Sequence, residues 1–221
     1  MKKTYLVLSW LCYISMMTAL YMALIYAPSE RTMGVVQRIF YFHVPSAWIA
    51  FLAFAVVAFA SIRFLQTHNG KWDRLAQSSA ETGILFLTLV LITGPLWAKP
   101  VWNVFWTWDA RLTTSFVLWL IYIAYLMLRH YVIGRERGAR FAAIFGIIGF
   151  VDVPVVYMSI RWWRTLHPAP VIGGGTSSGL APKMIFALLV CVVAFTILYT
   201  TLLVFRFKSL TLQREMEKFI G

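Results

Sequence analysis

Six apolar runs follow one another along the chain, each separated from the next by charged residues. They cover positions 4–29, 44–62, 82–98, 112–128, 141–160 and 184–205. A helix needs about 20 apolar residues to cross the hydrocarbon of a bilayer. Runs of this length with almost no charge predict membrane-spanning helices rather than buried strands. The expected fold is therefore all-α: a polytopic membrane protein with six transmembrane helices in one integral-membrane domain, residues 1–221. Lys2 and Lys3 ahead of the first run resemble the start of a signal peptide. That run is too long for one and lacks an A-x-A site, so it reads as a retained span. Between the runs, 63–81 reads as a polar loop and 129–140 as a basic loop. The stretch 173–179, Gly-Gly-Gly-Thr-Ser-Ser-Gly, reads as a flexible connection without the GK[ST] ending of a phosphate loop. Pro154 inside the fifth run predicts a kink, and the tail after 205 reads as exposed and partly helical.

Charge placement gives a topology. An even number of spans puts both termini on one side. Of the twenty lysines and arginines, thirteen fall on the termini side. Arg31, Arg38, Lys99, Arg111, Arg161, Arg164 and Lys183 fall on the other. The excess predicts that the N and C termini are cytoplasmic and that the connectors 27–43, 99–111 and 159–183 face outward. The formal charge of +12 and the 61% hydrophobic content therefore describe a membrane protein. No basic groove interleaved with aromatics is present, so nucleic acid is not an expected partner.

The second outer connector holds the chain's densest chemistry: Trp102-Asn103-Val104-Phe105-Trp106-Thr107-Trp108-Asp109-Ala110-Arg111-Leu112-Thr113. With Trp97 just upstream, this neighbourhood carries four of the ten tryptophans. It reads either as an interfacial aromatic belt or as a flat shelf beside a charge pair, suited to a flat, partly apolar, anionic ligand. Of four histidines, His68 and His130 fall among cytoplasmic charges and read as solvated. His43 and His167 sit at outer connectors, each with a proline close behind. Two imidazoles on one face either serve structural roles or ligate one metal, including a haem iron from its two sides. Such an iron would lie near the outer surface, because no histidine occurs mid-span. The outer cations are candidates for an anionic ligand. Asp152, inside the fifth run, is either functional or near the helix end and hydrated. Cys12 and Cys191 read as small buried hydrophobes. No CxxC, CxxCH, Ser-His-Asp order or nucleotide motif occurs, so covalent catalysis by this chain has no support.

The tract from Trp106 to Thr113, flanked by His43 and His167, resembles the tryptophan-rich WWD domain of haem-handling proteins. Together with the six spans, Phe42-His43-Val44-Pro45-Ser46 and Leu166-His167-Pro168, it resembles the CcmC family of the bacterial System I cytochrome c maturation pathway over essentially the whole chain. The family tract commonly reads Trp-Gly-x-Trp-Trp-x-Trp-Asp. Here Asn103 replaces the glycine, and Phe105 replaces the first tryptophan of the doublet, keeping an aromatic face but losing an indole N–H. The resemblance implies a non-enzymatic assembly factor in the bacterial inner membrane, its site facing the periplasm. It implies that haem b is bound non-covalently, with His43 and His167 as axial ligands. Trp102, Trp106, Trp108 and Asp109 would form the haem-presenting surface. It also implies delivery to the haem chaperone CcmE, an ABC transporter of CcmA and CcmB that releases the loaded chaperone, and the small membrane protein CcmD. Arg38, Arg111, Arg161, Arg164 and Lys183 are candidates for the haem propionates on charge and sidedness. The alternatives are a haem exporter whose spans form the path, and a redox enzyme. The first needs polar residues along the spans and the second an inner histidine pair; the sequence offers few of the former and none of the latter.

Overall fold

The structure is a computed structural model and describes residues 2–132, 134–168 and 180–220, without the side chains at positions 2, 130, 135 and 220. The glycine-rich stretch 173–179 and the side chain of His130 lie outside the described residues. Six α-helices account for most of the chain: α1 (Lys2–Tyr21), α2 (Phe40–Thr67), α3 (Gly70–Trp102), α4 (Ala110–Tyr131), α5 (Arg135–Trp162) and α6 (Pro182–Ile220). A π-helical turn, Met22–Tyr26, extends α1, and a 3₁₀ turn, Val35–Ile39, leads into α2. No named strand occurs among the described residues; Glu30 and Gly34 form one isolated bridge. All six helices are long and apolar enough to cross a bilayer, as the six runs predict.

The helices outrun the apolar runs. The stretch 63–81 is not a loop. α2 continues to Thr67 and α3 begins at Gly70, so only His68 and Asn69 separate them. The exposed His68 takes a left-handed conformation at φ 51° and closes α2 with its N–H on the Phe64 carbonyl. The Asn69 side chain then caps α3 by accepting the Lys71 N–H. The polar residues of this stretch continue the helix because they have helical partners elsewhere, as described below. α5 likewise runs unbroken in secondary structure through Pro154.

Ring contacts fix the helix directions. Tyr5 meets Phe205, and Tyr26 meets Phe186. α1 and α6 are therefore antiparallel, and both termini lie at one end. α2 and α3 are antiparallel too: Phe59 meets Trp72, and His43 meets Thr93 far along both helices. Their approach is close. A Cβ on Gly83 would stand 2.8 Å from the Phe54 ring and 2.9 Å from Ala53, so any side chain there would push α2 away. Beside it the Ser79 hydroxyl bonds the Ala53 carbonyl at 2.7 Å and lies 2.8 Å from the Tyr199 hydroxyl, joining α2, α3 and α6. Small residues and interhelical hydrogen bonds are what hold helices together where lipid is as apolar as the core. The main core is built around Phe54, Phe86, Tyr122 and Tyr125, with Phe54 stacked on Tyr122 at 3.6 Å.

The termini end is closed by ions. Asp73 bridges Arg129 of α4 at 2.7 Å and Arg214 of α6 at 2.5 Å, with only 3% of its side chain exposed. Glu81 pairs with Arg206. A cavity of about 440 Å³ opens beside this cluster. Removing one partner of a buried ion pair leaves the other charge uncompensated, which costs several kcal/mol. Asp73→Ala is therefore expected to lower stability by about 3 kcal/mol, read as a lower thermal midpoint of the purified protein in detergent. A midpoint equal to wild type would show that the cluster is not structural.

Candidate functional site

The connectors and helix ends opposite the termini carry most of the sequence-selected residues. Each is held there by local chemistry. In the first connector the Glu30 carboxylate accepts the N–H groups of Thr32 and Met33 at 2.7 and 2.5 Å. The Met33 hydrogen bond is the chief reason the partly exposed Glu30 is held below the ordinary carboxylate range. Gly34 turns the chain at φ 58°, a backbone conformation that a glycine adopts without strain. His43 follows in the opening turns of α2 rather than in an open connector. Its Nδ1 lies 2.8 Å from the Thr93 hydroxyl of α3, and the ring is half-buried.

The tryptophan tract divides into two halves. The first ends α3. Trp102 packs edge-on against Trp97 at 4.9 Å. Asn103 adopts φ 59° at the helix C-cap, and Lys99 Nζ donates to its backbone and side-chain oxygens at 3.0 and 3.1 Å while covering the Phe105 ring. Left-handed conformation explains why a glycine suits this position and why asparagine replaces it at little cost. The second half opens α4. Asp109 is its N-cap: Oδ1 accepts the N–H groups of Arg111 and Leu112, and Oδ2 accepts the Thr107 hydroxyl at 2.9 Å. A carboxylate there also meets the positive end of the helix dipole. Trp106 packs edge-on against Trp108 and Phe116, while Trp108 itself is 74% exposed. The Trp106 indole N–H and the Thr113 hydroxyl are buried with no hydrogen-bond partner among the described residues.

α5 delivers His167. The helix closes with the Trp163 N–H on the Ser159 carbonyl, and the Thr165 hydroxyl then accepts the His167 N–H at 3.1 Å. His167 Nδ1 donates to the Pro168 carbonyl at 2.9 Å. A carbonyl only accepts, so the ring proton sits on Nδ1 and Nε2 keeps its lone pair. Burial holds this imidazole below its ordinary pKa, and the Arg111 cation acts in the same direction. Both effects favour the neutral ring. The two histidines lie within electrostatic range of each other and of Arg111.

The cations do not form one cluster. Arg111 Nη1 donates to the Val156 and Tyr157 carbonyls of α5 at 2.5 and 3.4 Å, fastening α4 to α5. Arg38 Nη1 reaches the Ala23 carbonyl in the π turn at 3.3 Å. Arg161 lies over the Tyr157 ring and Lys183 over the Tyr26 ring. Arg164 is exposed beyond the end of α5. Asp152 stands apart, in α5, with one carboxylate oxygen buried and unpartnered among the described residues. Sequence reasoning did not single out Thr93, which lies inside the third apolar run. It also took Asp109 as a surface group; the order Asp-Ala-Arg-Leu ahead of an apolar run was a legible N-cap signal.

The backbone reading of Asn103 is testable. Asn103→Gly should leave stability unchanged, while Asn103→Ala should cost about 1 kcal/mol because only the alanine strains a left-handed position. Paired thermal melts would decide it: equal losses in both variants would mean that the side chain matters rather than φ.

Comparison with known proteins agrees along the full length. The sequence model of the family described as heme exporter protein C (CcmC) matches residues 1–220. A heme exporter protein C of Bradyrhizobium diazoefficiens is 36% identical over 191 residues, covering 86% of this chain and 72% of the relative. A putative cytochrome c biosynthesis ccmC-like mitochondrial protein of Arabidopsis thaliana is 34% identical over 217 residues, covering 95% and 81%. The heme exporter protein C of Escherichia coli K12 is 32% identical over 195 residues, covering 87% and 78%.

Proposed function

The chain belongs to the heme exporter protein C (CcmC) family, and from that premise we propose that it holds haem b non-covalently at one membrane face, between His43 and His167, and passes it on. The observation that carries this reading is the placement of the two imidazoles, His43 held on Thr93 and His167 on Pro168, at the end that carries the tryptophan tract. They come from α2 and from the segment after α5, and they stand within electrostatic range of each other at the tryptophan-rich end. Haem handling in cytochrome c maturation is the family's role; the ligands, the recipient and the sidedness are our inference.

The residues present fit the cargo. The His167 tautomer presents a basic Nε2. The unpartnered Trp106 N–H and Thr113 hydroxyl are donors awaiting an acceptor, and a buried donor without one costs free energy. Exposed Trp108 and Phe105 give apolar cover to a macrocycle. Trp102 belongs to the same surface through its packing on Trp97. Asp109 contributes by holding the tract against α4. Among the cations, Arg161, Arg164 and Lys183 suit the propionates, since their ends of the helices are exposed. Arg111 and Arg38 tie helices together and set the field around the site.

The protein then works by positioning, since the reactive chemistry belongs to the cargo. His43 and His167 fix the iron, and the tract leaves one edge of the macrocycle open to a recipient. We assign that recipient as the periplasmic chaperone CcmE. We place the chain in the bacterial inner membrane with CcmA, CcmB and CcmD, its termini cytoplasmic and its site periplasmic. It carries no catalytic role of its own. Beyond the family's own description as an exporter, the exporter alternative draws on one structural observation, the Asp152 oxygen inside α5 that has no partner among the described residues. A single polar point makes a poor path.

Purified protein is expected to show a six-coordinate, low-spin haem spectrum that is lost or altered in His43→Ala and in His167→Ala. A double mutant with wild-type haem content and spectrum would sink the ligand assignment. Orientation has its own test. In a Cys12→Ser, Cys191→Ser background, Val104→Cys should react with a membrane-impermeant thiol reagent added outside the inner membrane, and Phe219→Cys should not. The reverse pattern would invert the topology.

A further inference from the structure

We propose that Thr93 is a positioning residue for His43: its hydroxyl accepts the ring's Nδ1–H and fixes the tautomer whose Nε2 lone pair is available to iron. The inference rests on reading His43 as a haem ligand. It adds a residue of α3 to a site otherwise built from the connectors and the start of α2.

The direction of the hydrogen bond follows from proton counting. The Thr93 Oγ1 lies 2.7 Å from the Leu89 carbonyl, one helical turn back. A carbonyl oxygen only accepts, so the single hydroxyl proton points there. The same Oγ1 lies 2.8 Å from His43 Nδ1. With its proton already placed, the oxygen can only accept from the ring. Were Nδ1 the acceptor, Thr93 Oγ1 and the Leu89 oxygen would face each other at 2.7 Å with no proton between them.

α3 contains the same device in an unambiguous form. Thr88 Oγ1 donates to the Ile84 carbonyl at 2.8 Å and receives Trp119 Nε1 of α4 at 2.9 Å. An indole nitrogen can only donate. A threonine bonded back to its own helix thus offers its lone pair to a ring N–H from the neighbouring helix, once for a tryptophan and once for His43. The next residue, Gly94, contributes no side chain at the His43 Cε1 edge; a Cβ there would stand 3.5 Å away.

The consequence is chemical. A hydrogen bond from Nδ1–H orients a ligating imidazole and makes Nε2 a stronger base. His167 receives the same treatment from the Pro168 carbonyl. The two imidazoles are then matched: each holds its proton on Nδ1 and presents Nε2.

Thr93→Val keeps the side-chain shape and removes the acceptor; Thr93→Ala removes it without branching; Thr93→Ser restores it. In the full-length, haem-free protein with ¹⁵N-labelled histidine, the His43 ring should carry its proton on Nδ1 in wild type and Thr93→Ser. It should shift towards the Nε2–H form in Thr93→Val and Thr93→Ala. With haem added, those two variants should bind about tenfold more weakly or worse and show a higher midpoint potential, with Thr93→Ser close to wild type. Wild-type ring signals, affinity and potential in Thr93→Val and Thr93→Ala would overturn the proposal. So would a wild-type His43 protonated on Nε2. Retention of the wild-type haem spectrum in His43→Ala would remove the premise instead, and the haem-free ring signals would still report on the Thr93 contact separately.

Discussion

α2 and α3 pack so closely, at Gly83 against Phe54 and Ser79 against Ala53, that their register leaves little freedom to slide. Everything at both ends of the bundle depends on it. Counting along the antiparallel pair in one direction brings His43 opposite Thr93. Counting in the other leads to the two-residue break at His68 and Asn69, and from there to Asp73 facing α4 and α6. In hydrocarbon no hydrophobic force draws helices together, so hydrogen bonds and small residues set the distance. A larger residue at position 83 would therefore be felt at His43 as well as in the core.

The two ends spend their charges differently. At the termini end, carboxylates and guanidinium groups are paired across helices: Asp73 with Arg129 and Arg214, and Glu81 with Arg206. At the tryptophan end, the carboxylates are used locally. Glu30 shapes a turn, and Asp109 caps α4. Three cations there rest on a carbonyl or an aromatic face: Arg111 on Val156, Arg38 on Ala23, Lys183 over Tyr26. The outer connectors carry seven basic residues against Glu30 and Asp109, so positive charge is in excess at the end that carries the two histidines. Such a field favours an anionic cargo, and it favours neutral rather than protonated imidazole at His167.

The tryptophan tract joins these themes, because its residues divide between architecture and surface. Asn103, Lys99 and Asp109 fix where α3 ends and α4 begins. Trp108 and Phe105 are left outward. Trp106 is intermediate, its ring packed on Phe116 and its N–H without a partner among the described residues. Substitutions in one short motif will thus act through different physics. Some will shift the connector, and others will alter only what it presents.

The sequence by itself determined the six helices, because crossing a bilayer requires long uncharged runs and such runs are visible without any knowledge of packing. It also determined the family, through the tract and the two histidine contexts, and it placed the tract, His43 and His167 at one end by parity of crossings. The helix lengths were decided elsewhere. Residues 70–81 look like a loop because they are polar, yet they are helical, since Asp73, Gln77 and Glu81 meet arginines from α4 and α6. No local pattern reports a partner that distant along the chain. The Asp109 cap was legible in the local sequence, but its significance came from seeing Arg111 held on α5. Thr93 was not legible at all. It is one threonine in an apolar run, and only the packing of α3 on α2 puts its hydroxyl beside an imidazole. Periodicity is a property of neighbours in sequence; a proton shared between two helices is a property of their register, which only the folded bundle sets.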